Sequence, residues 1–205
     1  SADAGATAIV MMLHGCTQTP EDFAIGTGMN ALAERHGFVV LYPEQSRGAN
    51  AQTCWNWFSP NDQTRDRGEP EILAGMAREA MSHYDVPPDR CFVAGLSAGA
   101  AMAGILGPTY PDVFAAAGVH SGLPYRSARD VASAFAAMAG QRSEQSAEPS
   151  HPGIRTIVFH GSADSTVHVS NGDGIARNAD RNAPSPSLQT TRTGQVNGRT
   201  CSVTT

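Results

Sequence analysis

Cys91-Phe92-Val93-Ala94-Gly95-Leu96-Ser97-Ala98-Gly99-Ala100-Ala101-Met102-Ala103 decides how this 205-residue chain reads. An apolar run leads into Gly95-Leu96-Ser97-Ala98-Gly99, and a run of small residues follows. The order is strand, sharp turn, helix, with a serine at the tip. Glycines flank Ser97 because the bend is tight and side chains there clash. Such a bend lifts the hydroxyl to the carboxyl edge of a sheet and aims a helix N-terminus, with its free N–H groups, at the same point. A nucleophile for acyl transfer needs this placement. Taken alone, the turn is equally a glycine-rich bend whose serine caps a helix, so the surrounding sequence has to carry the reading.

Outward from that turn, strands and helices alternate. Residues 8–13 form a continuous apolar run, read as a buried parallel strand. Residues 29–36 are helical and stop at Gly37. Residues 38–42 read as a second strand. Residues 46–67 are polar and turn-rich around the aromatic island Cys54-Trp55-Asn56-Trp57-Phe58. Residues 71–84 predict an amphipathic helix with Ile72, Leu73, Met76, Ala80 and Tyr84 on its apolar face. After the strand at 91–96, the helix behind Ser97 runs to about Leu106. Strands are expected at 113–119 and 154–159, with a helix at 127–139 opened by Ser127 and Asp130, and a polar loop at 141–153. From Asn178 onward no period is visible. This pattern predicts an α/β fold, a mostly parallel doubly wound sheet with helices on both faces and its site at the carboxyl ends of the strands.

Composition narrows the function. Hydrophobic residues make up 40% of the chain and charged residues 16%, which fits one globular domain. The net charge of −5 gives no electrostatic case for nucleic acid or an anionic membrane. No apolar run reaches the length of a membrane span, and no basic-then-apolar signal segment opens the sequence. The four cysteines, Cys16, Cys54, Cys91 and Cys201, lack zinc-ligand spacing, so a metal site is not expected. Their number leaves both free thiols and disulfides open.

A serine acyl-transfer site needs more than a nucleophile. His14-Gly15-Cys16-Thr17-Gln18 closes the first strand where an oxyanion loop belongs, and the expected donors are the backbone N–H groups of Cys16 and Ala98. His160-Gly161-Ser162-Ala163-Asp164 closes the last clear strand, and Asp164 is the expected acid, with an Asx-turn role as the bland alternative. Asp173 and Asp180 follow no clear strand. Only His168 follows Asp164, four residues on and in the same loop, a poor position from which to bridge acid and serine. It reads as a loop-stabilising or cleft-lining residue, and the catalytic histidine is expected beyond Thr205. Trp55 and Trp57 either line a cleft or form a satellite core under a long loop. His120 is expected to flank the cleft.

Taken together, these residues resemble the polyhydroxybutyrate depolymerase-like esterases of the α/β-hydrolase fold. The resemblance rests on Leu13-His14-Gly15-Cys16-Thr17-Gln18-Thr19, Leu41-Tyr42-Pro43-Glu44-Gln45, Cys54-Trp55-Asn56-Trp57-Phe58 and Arg67-Gly68-Glu69-Pro70. The elbow, Tyr110-Pro111-Asp112-Val113-Phe114, Gly118-Val119-His120-Ser121-Gly122 and His160-Gly161-Ser162-Ala163-Asp164 complete it. It implies Ser97 as nucleophile, Asp164 as acid, Cys16 and Ala98 as oxyanion donors, and a Cys16–Cys54 disulfide. It further implies a secreted or cell-envelope esterase, needing no cofactor, that cleaves short-chain polyhydroxyalkanoates or similar esters. Acetylxylan and feruloyl esterases are the neighbouring alternative. A non-catalytic module that binds polymer or carbohydrate through Trp55 and Trp57 is the rival from another class. Residues 1–205 are expected to form a single hydrolase domain, incomplete at both edges of the sheet, with 178–205 irregular or poorly packed.

Overall fold

The computed structural model describes residues 5–141, 154–181 and 190–205. Five parallel strands form the sheet: β1 (Ile9–Leu13), β2 (Val39–Leu41), β3 (Cys91–Leu96), β4 (Ala116–His120) and β5 (Arg155–Phe159). Between them run α1 (Pro20–Thr27), α2 (Met29–His36), α3 (Gly68–Tyr84), α4 (Ala98–Thr109) and α5 (Val131–Met138), and α6 (Ser170–Arg181) follows β5. The spatial order is β2-β1-β3-β4-β5. The chain therefore leaves β1 toward one edge and returns to fill the other. The crevice between the ends of β1 and β3 is the switch point where sites form in open α/β sheets.

Side chains alternate across the sheet, so each register position assigns a face. Ile9, Met11, Leu13, Cys91, Val93, Ala117 and Val119 share one face and are buried. The helices α3 and α4 pack on each other and on β1, and α4 also packs on β3 and β4. The other face opens progressively toward the edge. On β5, Ile157 and Phe159 are 58% and 53% exposed, and the Phe159 ring stacks on His120.

Several boundaries differ from the sequence reading. The helix α1 is additional: Pro20 sits at its first turn, and the Thr19 hydroxyl caps the Asp22 N–H at 3.2 Å. On α3 the buried stripe is Leu73, Ala74, Ala77, Ala80 and Met81, whereas Ile72, Met76 and Tyr84 are exposed. Small alanines face inward because α3 packs closely on α4, and hydrophobicity alone points to the larger side chains. The fourth strand begins at Ala116, since Val113 and Phe114 fold back on the Tyr110 carbonyl. Helix α5 starts after Asp130, in a capping box whose partner is Ser133 rather than Ser127. The loop expected at 141–153 lies, apart from Gln141, outside the described residues.

The tail is not irregular where described. Helix α6 extends to Arg181, and β6 (Thr191–Val196) pairs antiparallel with β7 (Arg199–Thr204). Asn197 and Gly198, both at positive φ, make the two-residue turn between them. That Asn-Gly pair is a hairpin signal in the sequence. Every residue of both strands is exposed.

A charged clamp fixes the end of α4. Arg65 grips Asp112 at 2.6 and 3.0 Å, Arg78 adds a contact at 3.1 Å, and both guanidinium groups lie over the buried Tyr110 ring. The Arg65 hydrogen bond pulls the Asp112 carboxyl down to about 2. A carboxylate whose pKa is depressed on folding stabilises the fold above its unfolded value near 4, and loses that contribution as pH falls toward 2. The pair is half-exposed, so solvent screening limits it. Asp112→Asn is expected to cost about 0.5–1 kcal/mol at pH 7 and only a small part of that at pH 2, where the carboxylate is half protonated, read from urea midpoints at the two pH values.

Candidate active site

Ser97 lies between β3 and α4, as the N-cap of α4, with φ 56° and ψ −118°, a conformation that costs a non-glycine residue about 1–3 kcal/mol. Its N–H donates to the His120 carbonyl at 2.9 Å, and its own carbonyl accepts from Ala101 N–H at 2.9 Å. These two bonds hold the residue in the strained turn. Ala98 is the first helical residue, and its N–H lies among those that a helix start leaves unpaired. The flanking glycines are required by contact. A Cβ on Gly99 would lie 2.5 Å from the His14 carbonyl oxygen and closer still to that of Leu13, while one on Gly95 would strike the Gly99 backbone. The neighbours are backbone atoms in a sheet and a helix, so they cannot yield. Gly99→Ala is expected to destabilise the protein by about 2–3 kcal/mol, measurable as a lower urea midpoint at unchanged m-value.

Across from the elbow lies the turn after β1. Gly15 N–H donates to Gln18 Oε1 at 2.7 Å, Thr17 N–H to the Gln52 carbonyl at 2.8 Å, and Gln18 N–H back to Gly15 at 3.3 Å. Among the described residues, no backbone or side-chain acceptor takes the Cys16 N–H. His14 beneath it is fully buried and bonded at both ring nitrogens: Gln45 N–H donates to Nε2 at 3.1 Å, and Nδ1 lies 2.8 Å from the Gly15 carbonyl oxygen. Cys16 is joined to Cys54 by a disulfide spanning 38 positions of sequence. The bridge ties this turn to the aromatic loop. Cys91 and Cys201 are free; burial pushes the Cys91 thiol up to about 12, so it is inert as a nucleophile. Reducing the bridge, or Cys54→Ser, is expected to cost about 3–4 kcal/mol of unfolding free energy. A denaturation series with and without reductant checks this.

Asp164 follows β5. Its Oδ1 accepts from Val167 N–H and Thr166 N–H, both at 2.9 Å. The Val167 amide, with the Ser121 hydroxyl and the Thr166 amide, lowers its pKa against the effect of burial. The carboxylate is thus an Asx-turn acceptor and an ionised group at once. Oδ2 lies 3.6 Å from His160 Nε2, which is itself bonded to the Val167 carbonyl at 2.8 Å. Leu96, His120 and Phe159 are in register on β3, β4 and β5. Ser97, Ser121 and His160 follow at one level along the carboxyl edge. Two strand spacings, about 9.5 Å, separate the β3 and β5 ends. A triad histidine has to bond the serine with one ring nitrogen and the acid with the other.

None of the described histidines does so. His168 turns its Nδ1 to Ser170 at 2.9 Å, a loop-holding contact. His120 is exposed and stacks on Phe159 rather than bonding Ser97 or Asp164. Trp55 and Trp57 are 3% and 6% exposed and belong to the main core. Of the two readings open for them, the core reading is the one their burial fits, and they present no face to a polymer. Residues that sequence reasoning passed over also shape the site. Gln18 accepts from Gly15 N–H, Gln45 bonds His14 and the Cys54 carbonyl, and the Ser121 hydroxyl bonds Asp164. The polar stretches Glu44-Gln45 and Gly68-Glu69 carried the signal, since each lies beside an apolar element.

The sequence model of the family described as Esterase PHB depolymerase matches residues 2–192. This chain belongs to that family. Poly(3-hydroxyalkanoate) depolymerase C of Paucimonas lemoignei is 37% identical over 174 residues, covering 80% of this chain and 42% of the relative. Acetylxylan esterase A of Talaromyces purpureogenus is 32% identical over 180 residues, covering 80% of this chain and 46% of the relative. The chain spans somewhat under half the length of these two curated relatives. Among solved structures, an acetyl xylan esterase from Aspergillus awamori superposes with a TM-score of 0.72 at 28% identity, over 82% of this chain and 66% of that one. The parallel sheet, the strand–elbow–helix and these likenesses establish the α/β-hydrolase fold for this member of the family.

Proposed function

We propose that this chain carries the acyl-transfer machinery of a serine carboxylic-ester hydrolase. The observation that carries the proposal is the pairing of Ser97, strained at the tip of the elbow, with the Cys16 N–H, which no described group takes. In this reading Ser97 Oγ attacks the ester carbonyl, and the carbonyl oxygen becomes an oxyanion between the N–H groups of Cys16 and Ala98. The alcohol departs with a proton, leaving an acyl-serine that water cleaves. A histidine moves the proton, and Asp164, kept ionised by the Val167 amide, orients that ring and stabilises its charged form. Each oxyanion donor is worth about 10²–10³ in rate, so an amide left free at this point is consistent with use. No step calls for a metal or cofactor.

The substrate class proposed is a short-chain polyhydroxyalkanoate or its oligomers, in keeping with the depolymerase relative. Acetylated or feruloylated polysaccharide is the second reading, favoured by the acetylxylan esterase at 32% identity and by the solved structure at TM-score 0.72. A secreted or cell-envelope setting is proposed because the Cys16–Cys54 bridge persists only where thiols oxidise. Burial of Trp55 and Trp57 weighs against a module that binds polymer through those two rings.

The test uses the full gene product with a soluble p-nitrophenyl ester, poly(3-hydroxybutyrate) and acetylated xylan. Ser97→Ala is expected to lower kcat by about 10⁴-fold or more on whichever substrate is cleaved, and to abolish labelling by a fluorophosphonate. Equal turnover by the alanine variant, or labelling away from Ser97, overturns the proposal. The preferred polymer decides between the two substrate classes.

A further inference from the structure

Glu69 is the most unusual group outside the elbow. It stands in the first turn of α3, only 8% exposed, and no described cation pairs with it. Burying a carboxylate in this way costs several kcal/mol unless its lone pairs are filled. They are filled by three donors: Gln45 Nε2, Asn56 N–H at 2.8 Å and Asn56 Nδ2 at 2.7 Å. Each donor leads toward the turn at Cys16. Gln45 Nε2 also donates to the Cys54 carbonyl at 3.1 Å, on a disulfide cysteine, and Gln45 N–H donates to His14 Nε2. Asn56 is the neighbour of Trp55, whose Nε1–H donates to the His14 carbonyl at 3.1 Å. That carbonyl packs against Gly99 in the first turn of α4. Two hydrogen-bonded routes and one covalent bridge thus run from a single carboxylate to His14, Gly15 and Cys16.

We infer that Glu69 is a positioning residue of the acyl-transfer site: through Gln45 and Asn56 it fixes where the Cys16 N–H points. This rests on the hydrolase reading above and adds to it a residue far from the reacting atoms. The ionised state matters because all three neighbours of the carboxylate are donors. A neutral acid or amide would have to turn an N–H or O–H toward one of them and break at least one bond. Burial, with Asp62 nearby, raises the pKa of Glu69, and its three hydrogen bonds oppose that rise. Gln45 and Asn56 donate to both carboxylate oxygens, an arrangement that favours the ionised form. A loop tethered merely for stability could use any neutral acceptor. An amide that must meet an oxyanion within a few tenths of an ångström cannot tolerate two alternative networks.

The experiment compares Glu69→Gln and Asn56→Ala with wild type and with Ser97→Ala in the full gene product. A soluble ester gives kcat and KM, a fluorophosphonate gives the inactivation rate, and a thermal melt gives Tm. Glu69→Gln is expected to lower kcat and the inactivation rate together, by about 10- to 100-fold, with KM within about 2-fold. Asn56→Ala removes one of the three bonds and keeps the backbone one. It is expected to show the same split at about 3- to 10-fold, and it decides the matter should Glu69→Gln fail to fold. Wild-type kcat in either folded variant beside an inactive Ser97→Ala overturns the inference alone, as does a loss confined to Tm or KM. Undiminished turnover by Ser97→Ala removes the hydrolase reading and this inference together.

Discussion

The close approach of α4 to the end of β1 is the constraint on which the remaining geometry depends. A helix start can touch the Leu13 and His14 carbonyls only where residue 99 has no side chain. That contact brings the unpaired N–H groups of the first helical turn beside the turn carrying Cys16. It also forces Ser97 into a backbone conformation that side chains avoid. The strain is balanced by hydrogen bonds on both sides of the residue and by burial of the Ala- and Gly-rich helix against β1, β3 and β4. Strain of this kind survives only where the surroundings leave no alternative.

The two halves of the site are held by different physics. Around Asp164 the loop after β5 is short, and the carboxylate is positioned by amides within three residues of itself. Local hydrogen bonds suffice there, with Ser121 adding a link to β4. The turn after β1 is anchored by segments 30 to 55 residues away: Gln45, the disulfide partner Cys54, Trp55, and Glu69 at the head of α3. The aromatic loop carries little regular structure. Its order comes from two core tryptophans and a buried polar network, which forfeits desolvation energy if any one partner is lost.

This division explains why a reading from sequence succeeds unevenly. The elbow, the parallel strands and the acid loop are local patterns: an apolar run, a glycine-flanked serine, a second run and a loop aspartate. They are legible because the backbone demands those residues wherever such a turn forms. The apolar face of α3 was misjudged because helix–helix distance, not side-chain size, chose alanines for the interior. The hairpin at the tail was passed over despite its Asn-Gly turn, because strands exposed on both sides show no alternation of polarity.

The sequence by itself determined the α/β alternation, the serine turn with its flanking glycines, and the loop aspartate two strands beyond, since each follows from short-range sterics or periodicity. Only the tertiary structure decided that Trp55 and Trp57 are core residues, and it bears out the Cys16–Cys54 bridge that the family resemblance implied. It also decided that one amide in the turn after β1 stays free while its neighbours are bonded, and that Glu69 sits buried under that turn. Those facts depend on which distant segments share a volume, and burial of a polar group is a property of that shared volume rather than of the residue.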